Sequence, residues 1–438
     1  MSIRHKLARL TSAGPGSRPS DAAKERGLSG GIRPSMEALE ERGHRPAASG
    51  AEALAGLLAR RTPPKGVPLA HAPLPGTRVI TAHGPVHRID RHLEPSHCHG
   101  RVPVASALAA APELVAELAL DRTLASLDLS KMLFIDTETT GLSVGAGTLP
   151  FLVGVAFFED ESLRVQQLLL TKLGEEAPML RYLADRIAGA SCVVSYNGKS
   201  FDWPLLRSRY VLNRVPAPRL PPHLDLLHCS RRVFKRRMGS VRLVEMEREL
   251  LSFTREHDVA GAEIPRIFLT FVRSGDPGRL NAVVEHNGHD LVALAAILGE
   301  LTRRFAVVRP RDEPLDHLGY ARVAERAGDY PRAVEFASAA IEGGGDTQCT
   351  FEAWMLRARV ARKAGHVAAE EEALLEALAV NERSETHLAL AKLYEHRLRR
   401  LAPALRHAHA CGEPHRLGRL AARLARQNRR RSPRRPPG

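Results

Sequence analysis

KMLFIDTE, from Lys131 to Glu138, is the stretch on which the reading of the fold turns. A short apolar run ends in two acids, Asp136 and Glu138, spaced two apart. Strand side chains alternate with period 2, so both carboxylates fall on one face of the strand end. Two ionised carboxylates side by side repel unless a cation sits between them, and hard oxygen donors suit Mg²⁺ or Mn²⁺. A bare D-x-E is more often a solvated strand end, so the flanking chain decides. Beyond a turn marked by Gly141, Gly145 and Gly147 comes a second apolar run, PFLVGVAFF (Pro150–Phe158). LRVQQLLL (Leu163–Leu170) is a third, after the polar break EDES. Three such runs on short links read as consecutive antiparallel strands. The glycine turn is no phosphate loop, because a strand rather than a helix follows it.

Downstream, APMLRYLADRIAG (Ala177–Gly189) reads as helix and CVVSYN (Cys192–Asn197) as a fourth strand. FDWPLLRSRYVLN reads as a helix capped by Ser200, HLDLLH as a fifth strand and VRLVEMERELL as helix. A further helix starts near Leu280 and runs through LVALAAILGELTRRF. The pattern predicts an α/β domain with a mixed sheet flanked by helices over residues 125–309. Residues 75–124 form a lead-in, with GTRVITAHGPVHRI strand-like and Ala105–Leu127 helical. Residues 1–74 are basic and rich in Pro, Gly and Ser, with one weak helical pattern from Met36 to Arg60. Such a segment buries too little apolar surface to offset its ordering entropy, so disorder is expected there.

After Pro310 the strands stop. ARVAERAG (Ala321–Gly328) recurs as ARVARKAG (Ala358–Gly365), a period of 37, and each copy precedes a second helix. Paired helices at this period predict an all-α helical-repeat domain over 315–420, tetratricopeptide-like and separable from the sheet. A solvated basic arm is expected at 421–438.

The chain has 438 residues and a net charge of +15, from 64 Lys and Arg against 49 Asp and Glu. That balance favours a polyanionic partner, nucleic acid before membrane. The five cysteines are scattered, odd in number and without a C-x-x-C, which points to reduced thiols and a cytoplasmic protein. No signal-peptide core is seen at the start, and the densest apolar run, LVALAAIL, is far below the roughly 20 residues that span a bilayer. A zinc reading of the His83–His99 region lacks a second cysteine.

Two more acids stand at the edges of apolar elements. Asp202 opens a helix after a buried strand, and Asp290 begins the apolar stretch of the last one. His286 lies four residues before Asp290, one helical turn away on the same face. Four acids and a histidine placed in this way are what a two-metal phosphodiester hydrolase requires, with the histidine able to take a proton from water.

FIDTETTGL, SYNGKSFDWPLL and HNGHDLVALAAIL, in this order, resemble the three motifs of DEDD-type 3′–5′ exonucleases, which have a ribonuclease H-like fold. The details are most similar to the YprB-like members: TLPFLVGVAFFED, HLDLLHCSRRVF, AGAEIPRIFLTFVRSGD and the HN-x-x-D form of the third motif. The resemblance covers about residues 76–307. It implies that Asp136, Glu138, Asp202 and Asp290 hold two Mg²⁺ or Mn²⁺ ions. It departs at His286, which occupies the position of the usual tyrosine with the chemistry of a histidine base; His289, adjoining Asp290, is the competitor. Thr137, Asn197, Lys199 and Phe201 are candidates for substrate contact, and Asp225 for support behind the ligands. Tyr196, Phe201 and Trp203 have the rings to stack on a base, with core packing the better expectation for at least two. Lys235–Arg237 is a candidate phosphate-contacting patch.

The expected function is metal-dependent hydrolysis of single-stranded DNA or RNA from a 3′ end, with a protein partner or substrate on the helical repeats. The alternatives are a non-catalytic nucleic-acid-binding adaptor that recruits a partner through its repeats, or a proofreading subunit of a polymerase.

Overall fold

The computed structural model describes residues 73–141 and 147–431. The expectations for residues 1–72 and for the far end of the tail, and Gly145 of the glycine turn, lie outside the described residues.

Seven strands form one twisted sheet: β1 (Thr77–Thr81), β2 (Gly84–Leu93), β3 (Met132–Thr139), β4 (Pro150–Glu159), β5 (Ser162–Leu169), β6 (Cys192–Ser195) and β7 (His223–Asp225). Their order is β1-β2-β5-β4-β3-β6-β7. β3, β4 and β5 are the expected antiparallel meander, and β6 and β7 join the other edge of β3 in parallel. This is the ribonuclease H-like mixed sheet. The lead-in hairpin β1–β2 pairs antiparallel with β5 and so extends the same sheet. β7 is shorter than HLDLLH suggests. Asp225 ends the strand and accepts from the Leu227 amide, turning the chain at once into a helix.

β3 is apolar on both faces because both are covered. Met132 and Phe134 enter one core, Leu133 and Ile135 the other. Over the second face lie α2 (Glu176–Ala188) and α3 (Asp202–Leu212), introduced after the short α1 (Pro112–Ala119). The first face carries α4 (Leu226–Met238) and the long α6 (Leu280–Ala306), with α5 (Ile264–Ser274) packed on the end of α6. The expected helix at Ala105–Leu127 is broken: Pro112 opens α1, and Leu120 in the left-handed region closes it. VRLVEMERELL is one helical turn, Leu243–Met246, that widens into a π-helical turn at Glu247–Leu251.

The C-terminal region is all helical: α7 (Pro314–Ala327), α8 (Tyr330–Glu342), α9 (Thr347–Ala364), α10 (Val367–Val380), α11 (Ser384–Lys392), α12 (Leu401–Ala410) and α13 (Pro414–Arg431). Gly328 and Gly365 end α7 and α9 with φ of +94° and +82°. Only glycine adopts that cap readily, which explains why the period is punctuated by Ala-Gly. Where a solvated arm is expected from residue 421, α13 instead runs to Arg431, and Arg423 pairs with the buried Glu395.

The helical region does not stand apart from the sheet domain. α7 crosses α4 so closely that a Cβ on Gly319 would lie 2.5 Å from the Val233 carbonyl. Tyr320 packs edge-on to Phe234 at 6.0 Å and stacks on Phe305 at 5.7 Å, within one continuous core. Arg237 reaches Asp316 at 2.8 Å and Arg236 reaches Glu352 at 2.6 Å, so the basic run on α4 serves this junction. A chain ending near Arg309 is therefore expected to lose solubility or melt early. Each large apolar side chain it uncovers is worth roughly 1.5–3 kcal/mol. Expression yield and a thermal melt check this, and a soluble truncated protein melting cooperatively at the full-length temperature would refute it.

Candidate metal-dependent active site

β3 delivers Asp136 and Glu138 at its C-terminal end, where a register shift between Glu138 and Thr139 interrupts pairing with β4. Gly154 of β4 faces Asp136. A Cβ there would lie 2.3 Å from Asn287 Oδ1, so glycine is what lets α6 settle onto the strand. Asn287, fully buried, donates from Nδ2 to Asp136 Oδ2 at 2.7 Å. Its own Oδ1 accepts from Gln167 Nε2 at 2.8 Å.

Thr137 faces away from its two acidic neighbours, as alternation requires, and its Oγ1 donates to Asp202 Oδ1 at 2.5 Å. Asp202 is buried at the first turn of α3. The turn that leads to it is held by Asp225, which accepts from the amides of Asn197 at 2.8 Å and Lys199 at 3.1 Å. Asn197 takes a φ of +70° in that turn. Asn197 and Lys199 expose their side chains, and Phe201 is half-buried at the helix start. Asp225 is thus a buried support for the turn, as well as the cap of α4.

α6 brings His286 and Asp290 to the same place one turn apart. His286 Nε2 lies 3.8 Å from Glu138 Oε1 and 3.8 Å from Asp290 Oδ2. Donor atoms of these three residues all lie within 4.8 Å of one another, the only such cluster among the described residues. His289 turns elsewhere. Its ring packs 5.6 Å from Phe253 and 6.2 Å from His99. Four histidines of the lead-in go to separate partners: His83 to Asp185, His87 to the Pro75 carbonyl, His92 to Glu94 and His99 to Glu247.

Sequence reasoning missed the support that comes from residues 247–258. Arg255, only 4% exposed, donates to Asp290 Oδ1 and, at 2.8 Å, to Glu247 Oε2. Glu247 is turned inward by the π-helical turn and also meets His99 at 2.7 Å. Asp258 Oδ1 lies 2.7 Å from His286 Nδ1. Asn287 carried a signal, since it sits three residues before Asp290 on the same helical face. Arg255 and Asp258 carried none, because they arrive from an irregular segment.

The electrostatics follow from this crowding. Burial, then Asp290 and Asp202, push the Asp136 carboxyl well above its ordinary range. Burial and then Asp136 do the same to Glu138. Burial raises Asp202 to about 6 against the hydrogen bond from Thr137. Burial raises Asp290 too, although Arg255 and His286 oppose it. Arg255 is held charged: burial works against it, but Asp290 and Glu247 outweigh that cost. Desolvated carboxylates that raise one another in this way are what a divalent cation relieves, and oxygen donors with one adjacent imidazole fit Mg²⁺ or Mn²⁺.

A pH dependence follows. With carboxyl pKa values raised in the folded state, the native protein binds more protons than the unfolded chain above about pH 4. The metal-free protein should therefore lose stability as pH rises through about 6, where Asp202 ionises. Added Mn²⁺ binds the ionised forms, so its stabilisation should be larger at high pH than at low. Melts in chelator and in Mn²⁺ across this window test both. The slope in chelator should flatten in an Asp202→Asn variant; an unchanged slope would refute the cause assigned.

Five free cysteines, none in a disulfide, agree with the scattered spacing. No helix among the described residues is long and apolar enough to cross a membrane. Tyr196 gives its hydroxyl to the Val241 carbonyl at 2.5 Å and Trp203 packs on the second core, so both serve packing.

Comparison with known proteins gives this site a context. The chain is 35% identical over 202 residues to the uncharacterized protein YprB of Bacillus subtilis (strain 168). The match takes in 45% of this chain and 48% of that one, so the chain spans about half the length of this relative. Residues 133–302, which run from β3 through α6 and contain all four acids with His286, match the family described as the RNase_H superfamily. The segment that builds the candidate site is thus the one that resembles the RNase H superfamily.

Proposed function

We propose that this protein is a metal-dependent nuclease that removes nucleotides from the 3′ end of single-stranded DNA or RNA. The observation that carries the reading is the convergence of Glu138, His286 and Asp290 within 4.8 Å, beside the half-buried Asp136 and the buried Asp202. Asp136, Glu138, Asp202 and Asp290 hold two Mg²⁺ or Mn²⁺ ions. Those ions supply charge for the attacking and leaving oxygens of the phosphodiester. His286 takes the proton of the attacking water at Nε2, the ring nitrogen that faces the acids. Thr137 and the turn of Asn197, Lys199 and Phe201 flank Asp202, where the terminal nucleotide lies. The tetratricopeptide-like helices offer a surface for a protein partner.

Retention of four mutually repelling acids supports an enzyme over an adaptor, because a purely binding domain gains nothing from an acidic cluster facing a polyanion. The test is hydrolysis of 5′-labelled single-stranded DNA and RNA with Mn²⁺, Mg²⁺ or chelator. A ladder shortening from the 3′ end with metal alone is expected. Binding without cleavage in every metal would favour the adaptor.

A further inference from the structure

Residues 247–258 belong to none of the three motif stretches, yet they touch the site at two points. Arg255 is bound on one side by Glu247 at 2.8 Å and on the other by Asp290. Its Nη1 lies 3.4 Å from Asp258 Oδ2. Asp258 Oδ1 accepts from the Val259 amide at 2.9 Å and lies 2.7 Å from His286 Nδ1. The loop is therefore pinned at its root by a buried guanidinium, and its acid is fixed against one specific ring nitrogen.

We propose that Asp258 is a positioning residue that keeps the proton of His286 on Nδ1 and so presents an unprotonated Nε2 to Glu138 and Asp290. The inference rests on the nuclease reading for its consequence but on geometry for its substance. An ionised carboxylate only accepts, so a partner at 2.7 Å must donate. Arg255 Nη1 is also 3.4 Å from Nδ1, but a donor at that distance does not compete with a carboxylate at 2.7 Å. In the neutral ring, an Nδ1 proton committed to Asp258 leaves the lone pair on Nε2, on the side where a water must be deprotonated. Without the acid, neither tautomer is selected, and part of the population turns an N–H toward the acids instead.

The neighbours of Asp258 also fix what an asparagine would do. The Val259 amide donates to the same Oδ1 that meets His286. An amide NH₂ at that position would face a donor, so Asp258→Asn should keep its oxygen there and preserve the tautomer. Asp258→Ala removes the acceptor altogether.

The experiment uses full-length protein in Mg²⁺, ¹⁵N-labelled at histidine, with the His286 signals assigned by their absence in His286→Ala. Wild type and Asp258→Asn should show a protonated Nδ1 and a pyridine-like Nε2, and Asp258→Ala should show mixed or inverted shifts. Turnover should fall roughly 10–100-fold in Asp258→Ala, the range typical of outer-shell partners of site histidines. It should fall only a few-fold in Asp258→Asn, with Mn²⁺ affinity by calorimetry little changed in either. A wild-type Nε2–H tautomer, or a tautomer unchanged in Asp258→Ala, overturns the inference. So does equal loss of rate in both variants. If wild-type protein hydrolyses nothing, the nuclease reading fails, and the tautomer spectra alone decide the role of Asp258.

Discussion

Asp136→Ala and Glu138→Ala are each expected to bring metal-dependent hydrolysis down to background while the fold persists. Removing one electrostatic stabiliser of a transition state costs roughly 10²–10³ in rate. On the proposed reading these acids would hold ions that supply several such interactions, so the loss should exceed that range. The fold should survive because burial and repulsion among the acids outweigh the one hydrogen bond that Asp136 accepts from Asn287 in the metal-free protein. Both are raised by burial and by the acids around them, which is a statement that their ionised forms are uncomfortable. The variants should consequently melt higher than wild type in chelator and lose most of the gain that Mn²⁺ gives wild type. The two readouts separate a catalytic loss from unfolding. Wild-type turnover by a well-folded double variant, with contaminating nuclease excluded, would sink the metal-ligand assignment. A variant that melts lower in chelator would show instead that these acids hold the strand end together.

The difference between what the sequence reveals and what it hides has a physical basis in this chain. Period 2 on β3 was enough to place Asp136 and Glu138 together and Thr137 opposite, because the strand is buried on both faces and its register cannot slip. Period 3.6 was enough to pair His286 with Asp290. Neither period says what a side chain on the far face will meet, so the bond from Thr137 to Asp202 was invisible. Asp225 showed itself as a strand-end acid, but its grip on the amides of Asn197 and Lys199 depends on two parallel strands ending side by side.

The larger omissions share one cause. Glu247, Arg255 and Asp258 act across sequence distances of 148, 35 and 28 residues, to His99, Asp290 and His286. They do so from a π-helical turn and the irregular loop behind it, where no periodicity exists to read. The same holds at the junction with the helices. The 37-residue period announced paired helices, but not that Gly319 would let α7 settle against α4 and merge the two cores.

His286→Ala is expected to lower turnover by roughly 10²–10⁴-fold, the usual worth of a general base, while His289→Ala costs far less. Both residues flank Asp290 and the sequence alone favours His286 only by the helical turn. The structure separates them further. His286 Nε2 stands 3.8 Å from an oxygen of Glu138 and of Asp290, within reach of a water shared with them. The His289 ring faces Phe253 and His99, and burial lowers its affinity for a proton, Arg255 and His99 adding to the effect. Its replacement should act on packing near the Glu247–His99 pair and so on melting temperature rather than on rate. Calorimetry should find Mn²⁺ affinity nearly unchanged in His286→Ala, because the four carboxylates remain. His286→Tyr should keep part of the rate, since a phenol at this position can still orient water. Single-turnover hydrolysis at saturating Mn²⁺ distinguishes the cases. At saturating Mn²⁺ the loss of rate should persist in His286→Ala and be small in His289→Ala. A larger loss in His289→Ala would mean that the proton leaves the water by another route. A Mn²⁺ affinity that collapses in His286→Ala would make the imidazole a ligand, not a base.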